Sequence, residues 1–400
     1  MVAMDTTGNG SGTMAGLLPI MAAVFAGFLL IGLALPVLPL HLHQGLGFGP
    51  FAVGLVTGSQ FVASLLSRIG AGNYADTRGG KRAAVVGLIA AALAGFIYLG
   101  SLALLDRPTA SASMLFVGRA VLGAAESFII TGGVAWGLAL AGGRHSGKVI
   151  AWVGTAMFAA LALGAPVGSA LYAAGGFAAI ALATIVLPLA TLLATLPMRG
   201  IRPAGATARQ SWMSVAQAVW LPGVGAALSS LGYGAILSFA ALLFSERGWH
   251  PVWLPFTAYA VSLIAARLCF GQLPDRLGGA RVAAIFVAVE AVGLLLIWLA
   301  PGPVVATVGA GLTGLGYSLV YPGLGAEAVS HLPSDSRGLA MGLYTVFLDV
   351  ALGFGSPALG LVAASAGLQF VFLVVAAAAL PAFAVALMLI RRRVAYRRAA

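Results

Sequence analysis

Two carboxylic acids and a guanidinium interrupt stretches of this chain that are otherwise apolar. Glu126 lies about fourteen residues into the run 112–140, Asp349 about eleven into 338–363, and Arg119 seven residues ahead of Glu126. An ionised group near the centre of a bilayer costs at least about 2.5 kcal/mol, so each such residue is a functional candidate by default. Seven residues are two helical turns, which puts Arg119 and Glu126 on roughly one face. There they form either a proton-exchanging pair along a cavity wall or a static structural partnership. An acid that trades its proton for an intermittent cationic partner is what a proton-driven exchanger requires. Asp349 carries two readings as well: coupling acid, or acceptor for backbone groups freed near Gly353-Phe354-Gly355.

Other polar residues carry weaker signals. Glu290, about eight residues into 282–300, is expected to reach toward the near edge of its span, and Glu327 to serve as a gate or helix-end charge at the end of 303–330. Arg68 and Arg267, 199 residues apart, are long enough to snorkel to the membrane surface. His41 and His43 have no acidic neighbours, and a metal centre needs more ligands than they supply, so no metal is expected. Gln60, Trp136, Tyr321 and Tyr344 join Arg119, Glu126 and Asp349 as the expected lining of a central cavity, with Ser64, Trp152, Tyr233 and Tyr317 beside them. Such a lining, mostly apolar with a few acceptors, suits a small amphipathic or cationic solute better than a polyanion. Pro36, Pro39, Gly164, Pro166, Gly355 and Pro357 mark expected helix bends.

The elements that position these residues follow from composition. With 61% hydrophobic and 8% charged residues and a mean hydropathy of +1.04, the 400-residue chain has too little polar surface to cover a water-soluble globule. Twelve runs are each long enough to cross a hydrocarbon core as a helix: 17–42, 50–74, 83–105, 112–140, 148–172, 177–197, 213–244, 252–273, 282–300, 303–330, 338–363 and 367–390. Their continuity excludes the alternating segments of a transmembrane barrel, and 55 glycines favour close helix packing. The single Cys269 excludes a disulfide framework.

Lys and Arg concentrate in alternate connections. Sixteen fall on one side, among them Arg78, Lys81, Arg82, Arg144, Lys148, Arg199, Arg202, Arg209, Arg276, Arg281, Arg337 and the tail arginines 391–393, 397 and 398; only Arg107 and Arg247 fall on the other. The positive-inside rule then places both termini in the cytoplasm and leaves the net charge of +11 as a topology signal rather than a nucleic-acid footprint. The expected organisation is a disordered lead 1–16, a six-helix half 17–197, a cytoplasmic linker 198–212, a second half 213–390 and a basic tail 391–400.

A repeat supports the two halves. Gly72-Asn-Tyr-Ala-Asp76-Thr-Arg78-Gly79-Gly80-Lys81-Arg82 returns 199 residues later as Gly271-Gln-Leu-Pro-Asp275-Arg276-Leu277-Gly278-Gly279-Ala280-Arg281. Gly164-Ala165-Pro166 returns as Gly355-Ser356-Pro357 at an offset of 191. The doubled loop reads as a charged hairpin whose acid and cations can latch a cytoplasmic gate, with Gly72, Asp76, Arg78, Gly79, Lys81, Arg82, Gly271, Asp275, Arg276 and Arg281 as its parts. The second copy lacks two of the first copy's cations, so the N-terminal latch is expected to dominate.

Twelve spans in two sets of six, a short central connection and the doubled loop resemble the major facilitator superfamily. Leu115 to Gly123, with Arg119 between them, is similar to the fourth-span motif of its proton-coupled drug antiporters. Gly164-Ala165-Pro166-Val167-Gly168 is similar to their fifth-span motif, with Ala165 inserted before the proline. Leu35-Pro36-Val37-Leu38-Pro39, Gly118 to Ser127, His145 to Val149 and Phe347 to Gly353 resemble a bacterial arabinose-efflux-permease-like subgroup. The resemblance implies an all-α integral membrane fold of two pseudo-symmetric halves in a bacterial inner membrane. It implies a monomer that moves a small molecule by alternating access, with protons and lipid as its other partners. Proton-coupled efflux of a small amphipathic molecule or sugar leads, uptake by symport is the alternative, and a non-transporting receptor is a third class. No Walker-type phosphate loop or hydrolase constellation occurs, so neither enzyme activity nor a cofactor is expected.

Overall fold

A computed structural model describes residues 10–141, 146–198, 200–201, 212–330, 332 and 336–399. Its helices are α1 (Gly10–Ala34), α2 (Val37–Leu40), α3 (Pro50–Arg78), α4 (Gly80–Leu102), α5 (Pro108–Ala141), α6 (Ser146–Thr195), α7 (Trp212–Glu246), α8 (Leu254–Phe270), α9 (Leu273–Leu277), α10 (Gly279–Trp298), α11 (Pro303–Val329), α12 (Arg337–Ala366) and α13 (Leu368–Ala399). Among the described residues ten stretches are long and apolar enough to cross a bilayer, with Leu254–Phe270 as a shorter apolar helix. The 50-residue α6 breaks at Gly175 and Gly176, where φ of 60° at Gly176 suits glycine, so it supplies two passes and the bundle has twelve.

Several boundaries differ from the sequence reading. Helix α1 begins at Gly10, inside the stretch expected to be disordered, while residues 1–9 lie outside the described ones. It ends at Ala34; Leu35 and Pro36 interrupt it, and α2 is followed by a π-helical turn over His41–Gly45. The basic tail continues α13 as helix to Ala399, and most of the linker 198–212 lies outside the described residues, as do Arg144 and His145.

The doubled loop is mostly helix. Residues 72–78 extend α3, and the reversal is made by Gly79 alone (φ 94°, ψ 148°), with α4 starting at Gly80. Gly278 (φ 91°, ψ 142°) does the same 199 residues on, between α9 and α10. Side chains are strained in that region of backbone space, which is the physical reason for a glycine at both positions.

Both turns, and the ends of α6 and α13, share one face of the bundle, called here the terminal face; the other is the distal face. Glycines let helices of each half meet backbone to backbone at corresponding places. Gly80 lies on Gly132 and Ala135, as Gly279 lies on Gly323; Gly123 lies on the Gln60 backbone, as Gly314 lies on that of Tyr259.

Candidate functional site

In the N-terminal half, α5 presents Glu126 and α3 presents Gln60. Gln60 Nε2 donates to Glu126 Oε2 at 2.7 Å, and the other Gln60 polar atom, buried Oε1, has no partner among the described residues. Arg119 does not pair with Glu126. A seven-residue step puts the two on one face but about 10 Å apart along the axis at 1.5 Å per residue, beyond hydrogen-bond reach. Arg119 is 2% exposed, and its Nε and Nη1 also lack partners there. It still acts on Glu126 through space, as do Arg68 and Asp349, so the four charges share one electrostatic neighbourhood.

The seam between the halves holds the contact that sequence reasoning missed. Arg68 on α3 does not snorkel: its Nε and Nη2 donate to Asp349 Oδ2 on α12 at 2.9 and 2.6 Å, and Nη2 also reaches Ser64 Oγ at 3.3 Å. The Asp349 side chain is 4% exposed and that of Arg68 22%. Asp349 is therefore a partner for the opposite half and not an acceptor for the backbone near Gly353. The available signal was an arginine and an acid, each interrupting an otherwise apolar run, one in each half.

The seam is closed on the distal side of that ion pair. Gly54 lies against Ser356 and Pro357, and Gly58 against Gly353 and Pro357. Thr57 Oγ1 meets Ser238 Oγ at 3.0 Å, Ser238 donates to Ser356 Oγ at 3.3 Å, and nearer the distal end Gln44 donates to Ser245 Oγ at 2.6 Å. On the terminal side of the ion pair, α3 and α12 carry glycines with free space around them. Gly72, one turn beyond Arg68, and Gly342, two turns before Asp349, have open space where a side chain would stand. Pro357 and Gly355 thus lie in the closed part, and Gly164 and Pro166 lie in α6, where Gly164 packs on Gly32 of α1.

The C-terminal half faces this site with tyrosines. Tyr233 stacks on Tyr259 (5.6 Å between centroids) and on Tyr317 (5.7 Å), and Tyr317 shares a 3.0 Å hydrogen bond with Ser230. Tyr317 stands 191 residues after Glu126 and Tyr259 199 after Gln60, so the stack occupies the places that hold the acid and the amide in the first half. Tyr233 feels the charges of both Glu126 and Arg119. Tyr321 and Tyr344 pack on each other at 4.8 Å; Tyr344 is fully buried and bonds the Tyr321 carbonyl at 2.8 Å, and Tyr321 bonds Thr345 Oγ1 at 2.8 Å. Tyr344 and Trp136 belong to the packing of their halves and not to an open wall, since Trp136 is buried with its backbone against Gly80.

Glu290 is also elsewhere than expected. It is wholly buried, accepts a hydrogen bond from Ser229 of α7 and lies beside Gly316 of α11. The helix begins at Gly279, which puts Glu290 near mid-length of α10 and not at its edge. At the terminal face Lys81 Nζ donates to the carbonyls of Leu196 (2.7 Å) and Met198 at the end of α6, while Glu327 accepts from the backbone N–H of Ala280 at 3.0 Å. Asp76 is exposed and makes neither a hydrogen bond nor an ion pair among the described residues; Arg276 reaches only Gln272. Those residues contain no cluster of three or more metal-ligand side chains.

The family model described as the Major Facilitator Superfamily matches residues 20–255 and 223–400. The chain belongs to this superfamily. It is 41% identical over 373 residues, 93% of this chain and 96% of the relative, to a Salmonella typhimurium protein named as an uncharacterized MFS-type transporter. Its fold is similar to a bacterial homolog of the human lysosomal transporter Spinster, solved inward-facing and unoccupied (TM-score 0.77, 12% identity, 96% of this chain and 98% of that one). It is similar as well to the nucleoside transporter NupG (TM-score 0.74, 17% identity, 94% and 99%). As a major facilitator protein the chain is a multi-pass membrane transporter and not an enzyme. Transporters of this superfamily bind small-molecule substrates within the membrane.

Proposed function

We propose that this transporter couples the outward movement of a small amphipathic molecule to inward movement of protons, with Glu126 as the coupling acid. The observation that carries the reading is the difference between its two acids at the seam: Asp349 is neutralised by an ion pair with Arg68, whereas Glu126 takes its hydrogen bond from the neutral amide of Gln60 and has no ion pair among the described residues. A carboxyl with no fixed cation has two ways to be neutral, by taking a proton or by taking a substrate's donor group. Competition between these two is the elementary step of exchange. The tyrosine stack opposite supplies flat apolar surface with hydroxyls at its edge, which fits an amphipathic solute.

The halves 17–197 and 213–390 rock about the seam, which is sealed distally and has free space beside its glycines toward the terminal face. With both termini and the linker cytoplasmic in a bacterial inner membrane, the described state opens inward. One copy of the chain contains the whole pathway, so the monomer is the working unit. Uptake by symport is the second reading, favoured by Ala165 between Gly164 and Pro166, where the antiporter motif it resembles has none.

Proteoliposomes holding a pH-sensitive dye test the proposal. Under an imposed pH gradient, a transported ligand moves protons opposite to itself. Glu126→Gln retains ligand binding by thermal shift and ligand-for-ligand exchange but loses proton movement. Proton movement undiminished in Glu126→Gln removes Glu126 from the coupling role; proton and ligand moving in the same direction establish symport.

A further inference from the structure

The terminal face carries a cavity of about 900 Å³ outside the seam. It lies where the Gly79 turn meets the end of α6. Arg78, Lys81 and Arg82 line its rim, and Val85, Val86, Leu196 and Ile201 are among its apolar walls. No acidic residue among the described ones lines it; Asp76 is outside. Lys81 uses two of its three donors on the Leu196 and Met198 carbonyls, while Arg78 and Arg82 are exposed and make no hydrogen bonds among the described residues. Leu196 (53%) and Ile201 (38%) leave apolar surface uncovered beside these cations.

We propose that this cavity binds the headgroup of an anionic phospholipid, with the phosphate on Arg78 and Arg82 and the upper acyl chains against Val85, Val86 and Leu196. The chemistry follows from what the cavity combines. Two free guanidiniums and an ammonium set on a curved rim match phosphate oxygens, which accept several donors at once. A soluble anion gains nothing from the apolar wall, whereas a lipid covers it. A zwitterionic lipid brings an ammonium that the three cations repel. Basic pockets between helix ends at a membrane surface are suited to such headgroups.

The repeated turn in the second half supplies the internal control. Leu277 and Ala280 replace Arg78 and Lys81 there, and the carboxylate of Glu327 rather than a cation stands against the α10 N-terminus. One headgroup site per chain, on the N-terminal half, is the consequence.

The test uses the full chain in nanodiscs of phosphatidylcholine into which phosphatidylglycerol is titrated, read by native mass spectrometry and by thermal unfolding. The wild type retains phosphatidylglycerol in preference to phosphatidylcholine and unfolds several degrees higher as it is added. Arg82→Gln, and Arg78→Gln with Arg82→Gln, lower that preference about tenfold while unfolding normally in pure phosphatidylcholine. Arg276→Gln with Arg281→Gln in the second copy keeps it. An equal loss in the second-copy variant overturns the site in favour of general surface charge. Full competition by soluble glycerol phosphate overturns the lipid in favour of a free anion, and absence of any preference in the wild type overturns both. Should the double variant unfold in phosphatidylcholine, the single Arg82→Gln, on the exposed first turn of α4, decides alone.

Discussion

The two seams between the halves are built on one plan and end differently. On one side α3 meets α12; on the other α8 meets α6. Gly58 against Gly353 has its counterpart, at the repeat offsets of 199 and 191, in Thr257, whose hydroxyl donates to the Ala162 carbonyl at 2.9 Å. Arg68 on Asp349 has its counterpart in Arg267, which lies 4.7 Å from the centroid of Phe158 and reaches the Ser318 carbonyl at 3.3 Å. The repeat has thus kept the arginine in both halves and the carboxylate in only one. An ion pair away from water is held or lost as a unit, because either charge alone is costly there. A guanidinium over a ring contributes about 0.5–2 kcal/mol and can slide across the ring face without leaving an unpaired charge. The α3–α12 seam is therefore expected to hold as a latch and the α6–α8 seam to yield first.

The largest expected effect comes from removing the carboxylate that only one seam has. Asp349→Asn strands Arg68 at a partly buried site, and the transport rate in proteoliposomes is expected to fall about tenfold or more. Breaking a fully buried pair costs about 3–5 kcal/mol, and the 22% exposure of the Arg68 side chain reduces that figure. Exchanging the partners, Arg68→Asp with Asp349→Arg, is expected to restore a substantial part of the rate. A swap no better than the single variant would show that the positions matter for something other than their mutual attraction.

A smaller effect separates the packing of the two seams. A Cβ at Gly58 would stand 2.5 Å from the Gly353 carbonyl oxygen and 3.1 Å from Pro357 Cδ, whereas the second seam accommodates a threonine at the same place. Gly58→Thr is therefore expected to hold the distal side ajar and slow transport about fivefold. In a background with Cys269→Ser, a cysteine at Ser238 becomes accessible to a membrane-impermeant thiol reagent from the distal side. Thr257→Val, which removes one hydrogen bond and keeps the volume, is expected to change the rate less than twofold, in line with the modest net value of such a bond.

The contrast between the seams also marks where sequence reasoning stopped. Twelve passes, the doubled turn and its 199-residue offset were legible, because run length, glycine pairs and charge placement act locally or are counted along the chain. Asp349 and Glu126 were legible as candidates from their solvation cost alone. Their partners were not. Whether Arg68 meets Asp349 depends on how α3 rotates against α12, and whether Gln60 reaches Glu126 depends on the crossing at Gly123; neither is a property of one helix. The pairing assigned to Arg119 failed for a local reason, since a shared face says nothing of the rise along the axis. Glu290 was misplaced because charged and glycine residues at 278–281 were counted as loop although the helix starts within them.

Replacing the ring under Arg267 is expected to have a smaller effect than losing the ion pair or crowding Gly58, and it decides whether the asymmetry is functional. Phe158→Leu keeps the apolar bulk and removes the π face, so the loss is the cation–π share alone, about 0.5–1 kcal/mol at a site where Ser318 still accepts from the guanidinium. That corresponds to a change in transport rate of about two- to fivefold. Phe158→Asp goes the other way: it gives Arg267 the carboxylate that Arg68 has and makes both seams latches. Slower opening is then expected, seen as a transport rate below that of Phe158→Leu together with a higher unfolding temperature. If Phe158→Leu instead costs as much as Asp349→Asn, the ring holds its arginine as firmly as the carboxylate does. The seams would then be equal in strength despite their different chemistry.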